Sequence, residues 1–430
     1  MNQKSLLAAP FAPFLLVLAL LCASLYRADA CTAVIISGRL TEDGRPILWK
    51  HRDTDSLDNS LRHFSGEKYS FVGLVNSSSA GGEVWAGINT AGFAVVNTAS
   101  YCLKNDDVPR SEMDREGILM YRALEICSSL EDFETFLDTL SRPMGVEANF
   151  GCIDAHGGAA WYETGNTSYH KIDVNACDDG FFVVTNFSVS GEPARWKGVE
   201  RYQTAYAIFS EMNAAGTLPG IHPLDIVDSL SRSYRHEVLG IDLTRDAEEF
   251  LSRTNGLAVD QDFIPRRSTS ASVVIRGVRD GEDPSHAVVW AALGYPAVAV
   301  TVPVPVSDEP HLPSALSSFP VSDLTSFCGL AAHLKSGFVF PGCVSNAGSY
   351  VRLTYVLGGT GWARSTLACC REAERTICAE FEKIYADFVS GVISREEYLR
   401  RYDSVSEGFF RIYEQSFEDY IRWKGPLQAR

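Results

Sequence analysis

Two periods of hydrophobic residues alternate along the chain. CTAVIIS (31–37), PILWKHR (46–52), YSFVGLV (69–75) and GGEVWAGINTAGFAVVN (81–97) carry β-branched and aromatic residues broken by Gly, Asp and Asn. Such runs predict successive strands joined by tight turns. The period then lengthens. In SEMDREGILMYRALEICSSLEDFETFLDTLS (111–141), Ile118, Leu119, Tyr121, Leu124 and Ile126 fall at helical spacing, and Ser129 to Asp132 reads as a cap between two helices. ANFGCIDAHGGAAWYETG (148–165) returns to strands around a His-Gly-Gly turn, and GFFVVTNFSVS (180–190) is a further strand. Residues 196–254 read mostly as helix, with RYQTAYAIFSEM and PLDIVDSLSRSY the clearest parts. STSASVVIRGV, SHAVVWAALG and AVAVTVPVPV are strands again.

The order is strands, helices, strands, helices, strands. It predicts an α+β fold with two layers of sheet and helices outside, rather than a regular βαβ repeat. Pro303, Pro305, Pro310 and Pro313 mark a boundary. Beyond them, residues 366–389 and 394–423 are amphipathic and predict long helices packed on the core; an interaction or homo-oligomer surface is the other use for such helices. The organisation read from the chain is a leader (1–30), a main domain (31–305) and a C-terminal helical extension (306–430).

The leader has the form of a secretory signal. Lys4 supplies the positive end, Phe14 to Cys22 is an apolar run too short to span a bilayer, and Ala28-Asp29-Ala30 fits a signal-peptidase site. Export to a periplasm or beyond is the expectation. The alternatives are an uncut anchor and a lipoprotein with Cys31 carrying the lipid, which Ala28 and Asp29 fit poorly. No other stretch is long and apolar enough to cross a membrane. A formal charge of -16 without a basic run argues against nucleic acid and anionic membrane surfaces as partners. Cys31 and the nine later cysteines contain no CxxC pair, so a zinc site is not expected; some could form disulfides in an exported chain. Three sequons occur, at Asn76, Asn166 and Asn186.

GxSxG, HExxH, Walker and βαβ-type GxGxxG motifs are absent from the sequence. Attention falls on Cys31. Cleavage after Ala30 would place its thiol beside a free α-amine on the same residue. That amine titrates at about 7.7–8.0 and can take a proton near neutral pH. The thiol, at about 8.5, is already partly ionised and intrinsically nucleophilic. One residue would supply nucleophile and base, and cleavage would be activation.

CTAVIISG, DGRPILWKHRDTD, WAGINTAGFAVVN, VVTNFS and RRSTSASVVIRG follow one another in that order behind this cysteine. Together they resemble the N-terminal-nucleophile (Ntn) hydrolases with a cysteine nucleophile. The nearest branch looks like the linear-amide C–N hydrolases: the choloylglycine (bile salt) hydrolases, penicillin V acylases and acyl-CoA:6-aminopenicillanic acid acyltransferase-like proteins. The resemblance spans roughly residues 31 to 305. It implies a four-layer αββα sandwich, an amidase forming a thioester on Cys31, a small acyl-amide substrate, and no metal or organic cofactor. It also implies site roles. Arg52 would lie near the sulfur, and Asp55, with Asp53 as rival, would hold the α-amine. Asn186 would donate to the oxyanion, with Asn97 as a second donor and Asn149 a further candidate. Arg267, with Arg266 adjacent, would be a late active-site arginine. Trp85, Tyr101, Phe187 and Trp196 are candidates for an apolar acyl pocket, or plain core. Acyl transfer to an amine, a non-catalytic binding protein on the same fold, and a papain-like protease are the competing readings; the last lacks a histidine in a suggestive context.

Overall fold

The computed structural model describes residues 30–79, 81–317, 324–340, 350–358 and 364–423. Almost all of the leader, and Cys343, lie outside the described residues. Two antiparallel sheets form the centre of the molecule. The first is a meander of seven strands in sequence order: β3 (Asn59–Ser65), β4 (Ser70–Asn76), β5 (Ala86–Asn89), β6 (Ala94–Ala99), β7 (Ala148–Ile153), β8 (Ala159–Thr164) and β9 (Tyr169–Asp173). The second is formed by β1 (Thr32–Ile36), β2 (Ile47–Asp53), β10 (Phe181–Val184), β14 (Thr269–Arg276), β15 (Val288–Leu293) and β16 (Thr301–Pro305), six strands in the spatial order β10-β1-β2-β14-β15-β16. Two short pairs, β11 (Arg235–His236) with β12 (Ile241–Asp242) and β13 (Leu257–Val259) with β17 (Tyr350–Arg352), lie outside the main sheets.

Alternation explains the layering, because successive residues of a strand face opposite ways. Val72, Leu74, Ala94 and Val96 pack with Ala33, Ile35 and Leu48 in the cluster between the sheets. Their neighbours Phe71, Val75, Phe93 and Val95 pack outward against helices α1 (Glu116–Ile126) and α2 (Leu130–Thr139). On the far side of the six-stranded sheet lie α3 (Val199–Ala214), residues 223–231, α4 (Phe327–Leu334) and α5 (Thr366–Val389). The result is the four-layer αββα sandwich that the resemblance implies.

Turn chemistry sets the β5–β6 hairpin. Asn89 Oδ1 accepts from the amides of Ala91 (3.1 Å) and Phe93 (3.0 Å), and Gly92 supplies the positive φ of 84° that a side chain would resist. The α2 start follows the expected cap, with Ser129 Oγ accepting from the Asp132 amide at 3.1 Å.

Several elements depart from the sequence reading. The buried stripe of α1 is Leu119, Met120, Ala123 and Leu124, while Ile118 is 44% exposed. Gly117 explains the rotation: a Cβ there would sit 3.3 Å from Trp85, so the helix approaches the sheet at a residue with no side chain. The region 196–254 is less helical than expected. It holds α3, a short helical segment at 223–231, the β11–β12 pair and a seven-residue helix, Ala247–Arg253. The last amphipathic stretch is three helices, Arg395–Ser406, Phe409–Ser416 and Glu418–Arg422, rather than one.

The C-terminal helices share the core of the main domain. Ile377, Phe381, Tyr402 and Tyr413 belong to the same buried cluster as the six-stranded sheet. Arg232 donates to both carboxylate oxygens of Glu374 on α5 (2.8 and 2.6 Å) with both side chains buried, and Asp228 adds a second acid at 2.7 Å. The hydroxyl of Tyr402 donates to the Pro303 carbonyl at 2.9 Å. None of the nine described cysteines is bridged. Asn166 and Asn186, two of the three sequon residues, are 4% and 1% exposed, which leaves no room for a glycan on the folded chain.

Candidate active site

The register of three adjacent strands assembles the site. Thr32 pairs with His51 and Ala33 with Val184. One and two residues further along, Cys31 therefore comes level with Arg52 on one side and Asn186 on the other. Cross-strand partners share a face, so Cys31, Lys50 and Arg52 face the space between the sheets. Cys31 is 5% exposed, and its thiol points at the Asp53 carbonyl (4.0 Å). In the uncut chain, the amide of Ala30 donates to the same carbonyl at 3.3 Å.

On this inner face the cations are held by amides and an aromatic ring. Arg52 donates to Asn59 Oδ1 and to Asn76 Oδ1 (2.8 Å), and its guanidinium lies 4.9 Å from the Trp85 ring centroid. Lys50 donates to the Trp85 carbonyl (2.7 Å) and to Asn97 Oδ1 (2.6 Å). That last bond fixes the flip of the Asn97 amide and leaves its Nδ2 on the side away from Lys50. Asn186 is fixed in the same way. Its Oδ1 accepts from Arg201 at 2.7 Å, while its Nδ2 donates to the Ala99 carbonyl at 2.9 Å.

Arg201, which sequence reasoning missed, ties this row together. It reaches in from α3, 2% exposed, and donates to the Cys31 carbonyl (2.6 Å) and to Thr32 Oγ1 (2.8 Å) as well as to Asn186. Its signal was present in the sequence. Arg201 shares the buried stripe of α3 with Thr204, Ala205 and Ile208, and a charge on an apolar stripe needs partners inside.

The opposite face of β2 carries the acid. Asp53 is fully buried, accepts from Thr269 Oγ1 at 2.6 Å, and lies 3.1 Å from Arg266 Nε in a close ion pair. His51 Nε2 is 3.1 Å from the same hydroxyl. Burial pushes the Asp53 carboxyl up to about 6, against the pull of Arg266 and Arg201. Burial, with Arg266 and Arg201 adding, holds His51 down to about 3, so its ring is neutral. Burial and the nearby Arg266 bring Arg201 down to about 10, so it remains a cation.

At two of the expected positions the alternative residue is the one that reaches the buried pair. β2 ends at Asp53 and the chain then leaves the sheet, so Asp55 is exposed and the buried carboxylate is its rival, Asp53. At the β14 approach Arg266, not Arg267, reaches Asp53. The Arg267 amide donates to Asp260 Oδ2 at 2.9 Å, and its guanidinium lies over the Phe340 ring at 5.6 Å. Asn149 is consumed structurally: it donates to Thr98 Oγ1 and the Phe187 carbonyl and accepts from Ser188. Of the four aromatics, Trp85 backs Arg52 and Lys50, whereas Phe187 and Trp196 stack on each other at 4.3 Å.

Away from this site, His222, Cys378 and Glu382 place ligand-type atoms within 4.8 Å of one another. His222 Nδ1 accepts the Leu224 amide at 3.2 Å, which puts the ring proton on Nε2, facing Glu382 at 3.4 Å. That tautomer makes a hydrogen bond where a metal would need a lone pair.

No family model matches the sequence. No curated protein matches it either. Among solved structures, it is similar to a Caenorhabditis elegans N-acylethanolamine-hydrolyzing acid amidase ortholog, at 15% identity over 57% of this chain and 92% of that one, with a TM-score of 0.39. A mutant conjugated bile acid hydrolase from Clostridium perfringens is similar at 11% identity, over 65% of this chain and 93% of that one, with a TM-score of 0.40. Penicillin V acylase from Agrobacterium tumefaciens is similar at 14% identity, over 64% of this chain and 86% of that one, with a TM-score of 0.37.

Proposed function

We propose that the chain is an exported Ntn cysteine amidohydrolase that cleaves a linear amide through a thioester on Cys31. The observation that carries this reading is the row of side chains at three adjacent strand ends: Cys31 between Arg52 and Asn186, with a buried carboxylate, Asp53, on the residue next to Arg52.

Removal of the leader after Ala30 turns the Cys31 amide nitrogen into a primary amine. The amine takes the thiol proton, and the sulfur attacks the substrate carbonyl. The side-chain amides of Asn186 and Asn97, each with its orientation fixed by a cation on its oxygen, are the donors for the developing oxyanion. The α-ammonium returns its proton to the departing amine as the C–N bond breaks, leaving the acyl group on sulfur. Water, deprotonated by the same amine, releases the acid. Arg52 stabilises thiolate character at the sulfur, and Asp53 steadies the α-ammonium.

The test combines two measurements on the secreted protein. Intact mass should give a chain starting at Cys31 with an unmodified amine. Cys31→Ser should lose most amide hydrolysis while keeping the far-ultraviolet circular dichroism of the parent. A lipidated or blocked Cys31, or parental turnover in the serine variant, removes the mechanism.

A further inference from the structure

Next to the candidate site lies a second feature that the proposed chemistry does not use. A cavity of about 140 Å³ opens between the start of β14, the end of β15 and the C-terminal extension. Its walls are mainly apolar, from Leu57, Tyr295, Ala332 and Phe340. Two cations, Arg267 and Lys335, also line it. Both sit over the Phe340 ring, with Arg267 Cζ at 5.6 Å and Lys335 Nζ at 5.7 Å from its centroid.

We propose that this cavity binds a carboxylate carried on an apolar body, with Lys335 and Arg267 holding the carboxylate. The inference rests on the amidase reading only for its suggestion that the carboxylate belongs to the substrate.

Three observations support it. First, the cations have donors to spare. Arg267 Nη1 is buried without a hydrogen-bond partner. Lys335 Nζ donates to the Arg267 and Thr269 carbonyls, at 2.6 and 2.9 Å, and an ammonium has three hydrogens. A buried donor left without a partner is costly, and a carboxylate would satisfy it. Second, positive charge is in excess here, although the whole chain carries -16. Arg201, Arg266, Arg267 and Lys335 surround the buried carboxylate Asp53 and the half-buried Asp260 and Asp262. Burial lowers Lys335 to about 8, and Asp53 and Asp260 oppose that fall, so Lys335 remains mostly charged at neutral pH. Third, the position is coupled to the site. Thr269 lines the cavity and its hydroxyl donates to Asp53. The extension thereby supplies a binding residue, Lys335, rather than packing alone.

The test uses hexanoate and 1-hexanol as probes, titrated calorimetrically into the leader-free protein. Hexanoate should bind at least ~10-fold more tightly than hexanol, the ratio expected of charge-assisted hydrogen bonds. Lys335→Met should abolish that preference. Arg267→Met, which leaves the backbone bonds of the loop in place, should reduce it, so the result does not hang on one variant folding. Equal binding of the two probes, or a preference that survives both substitutions, overturns the proposal. Turnover then separates the sources of the carboxylate. If it belongs to the substrate, the 4-nitroanilide of suberic acid should have a lower KM than its methyl ester, and Lys335→Met should remove the difference. If it belongs to a separate ligand, the anilides should be treated alike and hexanoate should inhibit both. Hexanoate binding without cleavage of any anilide would leave this site standing and remove the amidase reading.

Discussion

Asp53 offers a direct measurement of what leader removal does to the site. In the uncut chain its carboxyl is raised from 3.8 to about 6, because burial outweighs Arg266, Arg201 and Thr269. A shift of that size corresponds to roughly 3 kcal/mol of differential stability. The sign follows from proton uptake. An acid with its folded value above its unfolded one costs nothing while it is protonated in both states. The cost enters as pH rises from near 4 and is complete above about 6. For the uncut chain, Asp53→Asn should therefore raise unfolding free energy by roughly 3 kcal/mol at pH 7.5 and leave it nearly unchanged at pH 4. Neutral, buried His51 adds its own loss of stability on acidification, but it is present in both proteins and cancels in the comparison to first order. For a chain beginning at Cys31, the new α-ammonium beside Asp53 should shrink the gain from Asp53→Asn. Urea titrations of the four proteins at the two pH values provide the readout. The same gain in both chains would refute the placement of the amine at Asp53. No pH dependence in either would refute the burial argument itself.

Asn186→Ala should lower kcat by roughly 10²–10³ if its amide meets the oxyanion; a rise in KM with kcat unchanged would make it a binding residue instead. Arg201→Met strands the Cys31 carbonyl, Thr32 and Asn186 Oδ1, and should cost roughly 3–5 kcal/mol in a denaturant titration. Glu374→Gln leaves Arg232 with Asp228 as its remaining acid and should cost roughly 3 kcal/mol, read as a lowered unfolding midpoint; an unchanged midpoint would show that the pair contributes nothing net.

The strands were legible because alternation is a local property. β1, β14, β15 and β16 fall inside the runs that their apolar residues mark, and β2 overruns its run by Asp53 alone. β3 was not, because NSLRHFS is mostly polar and sits at the sheet edge, where no second neighbour imposes a pattern. At the site, Cys31, Arg52, Asn97 and Asn186 could be named from motifs and are brought into one neighbourhood by strand register and the Lys50 bond. The choice between Asp53 and Asp55, and between Arg266 and Arg267, turned on where a strand stops, which periodicity leaves open by a residue or two. Lys335 and Thr269 carry no local mark; only tertiary packing brings a helix end from the extension onto the β14 loop.

The pairing of Arg232 with Glu374 has a consequence for how the chain can be cut. The proline-marked segment near residue 305 looks like a seam, yet the hydrophobic cluster and a buried charge pair both cross it. A protease that nicked there would separate two lengths of polypeptide without separating two folding units. Ending synthesis at that point would leave Arg232 as a buried cation beside a stripped sheet face. Evolution can lengthen, shorten or redecorate an appendage freely; a segment wired into the core in this way has to change in step with the strands it covers.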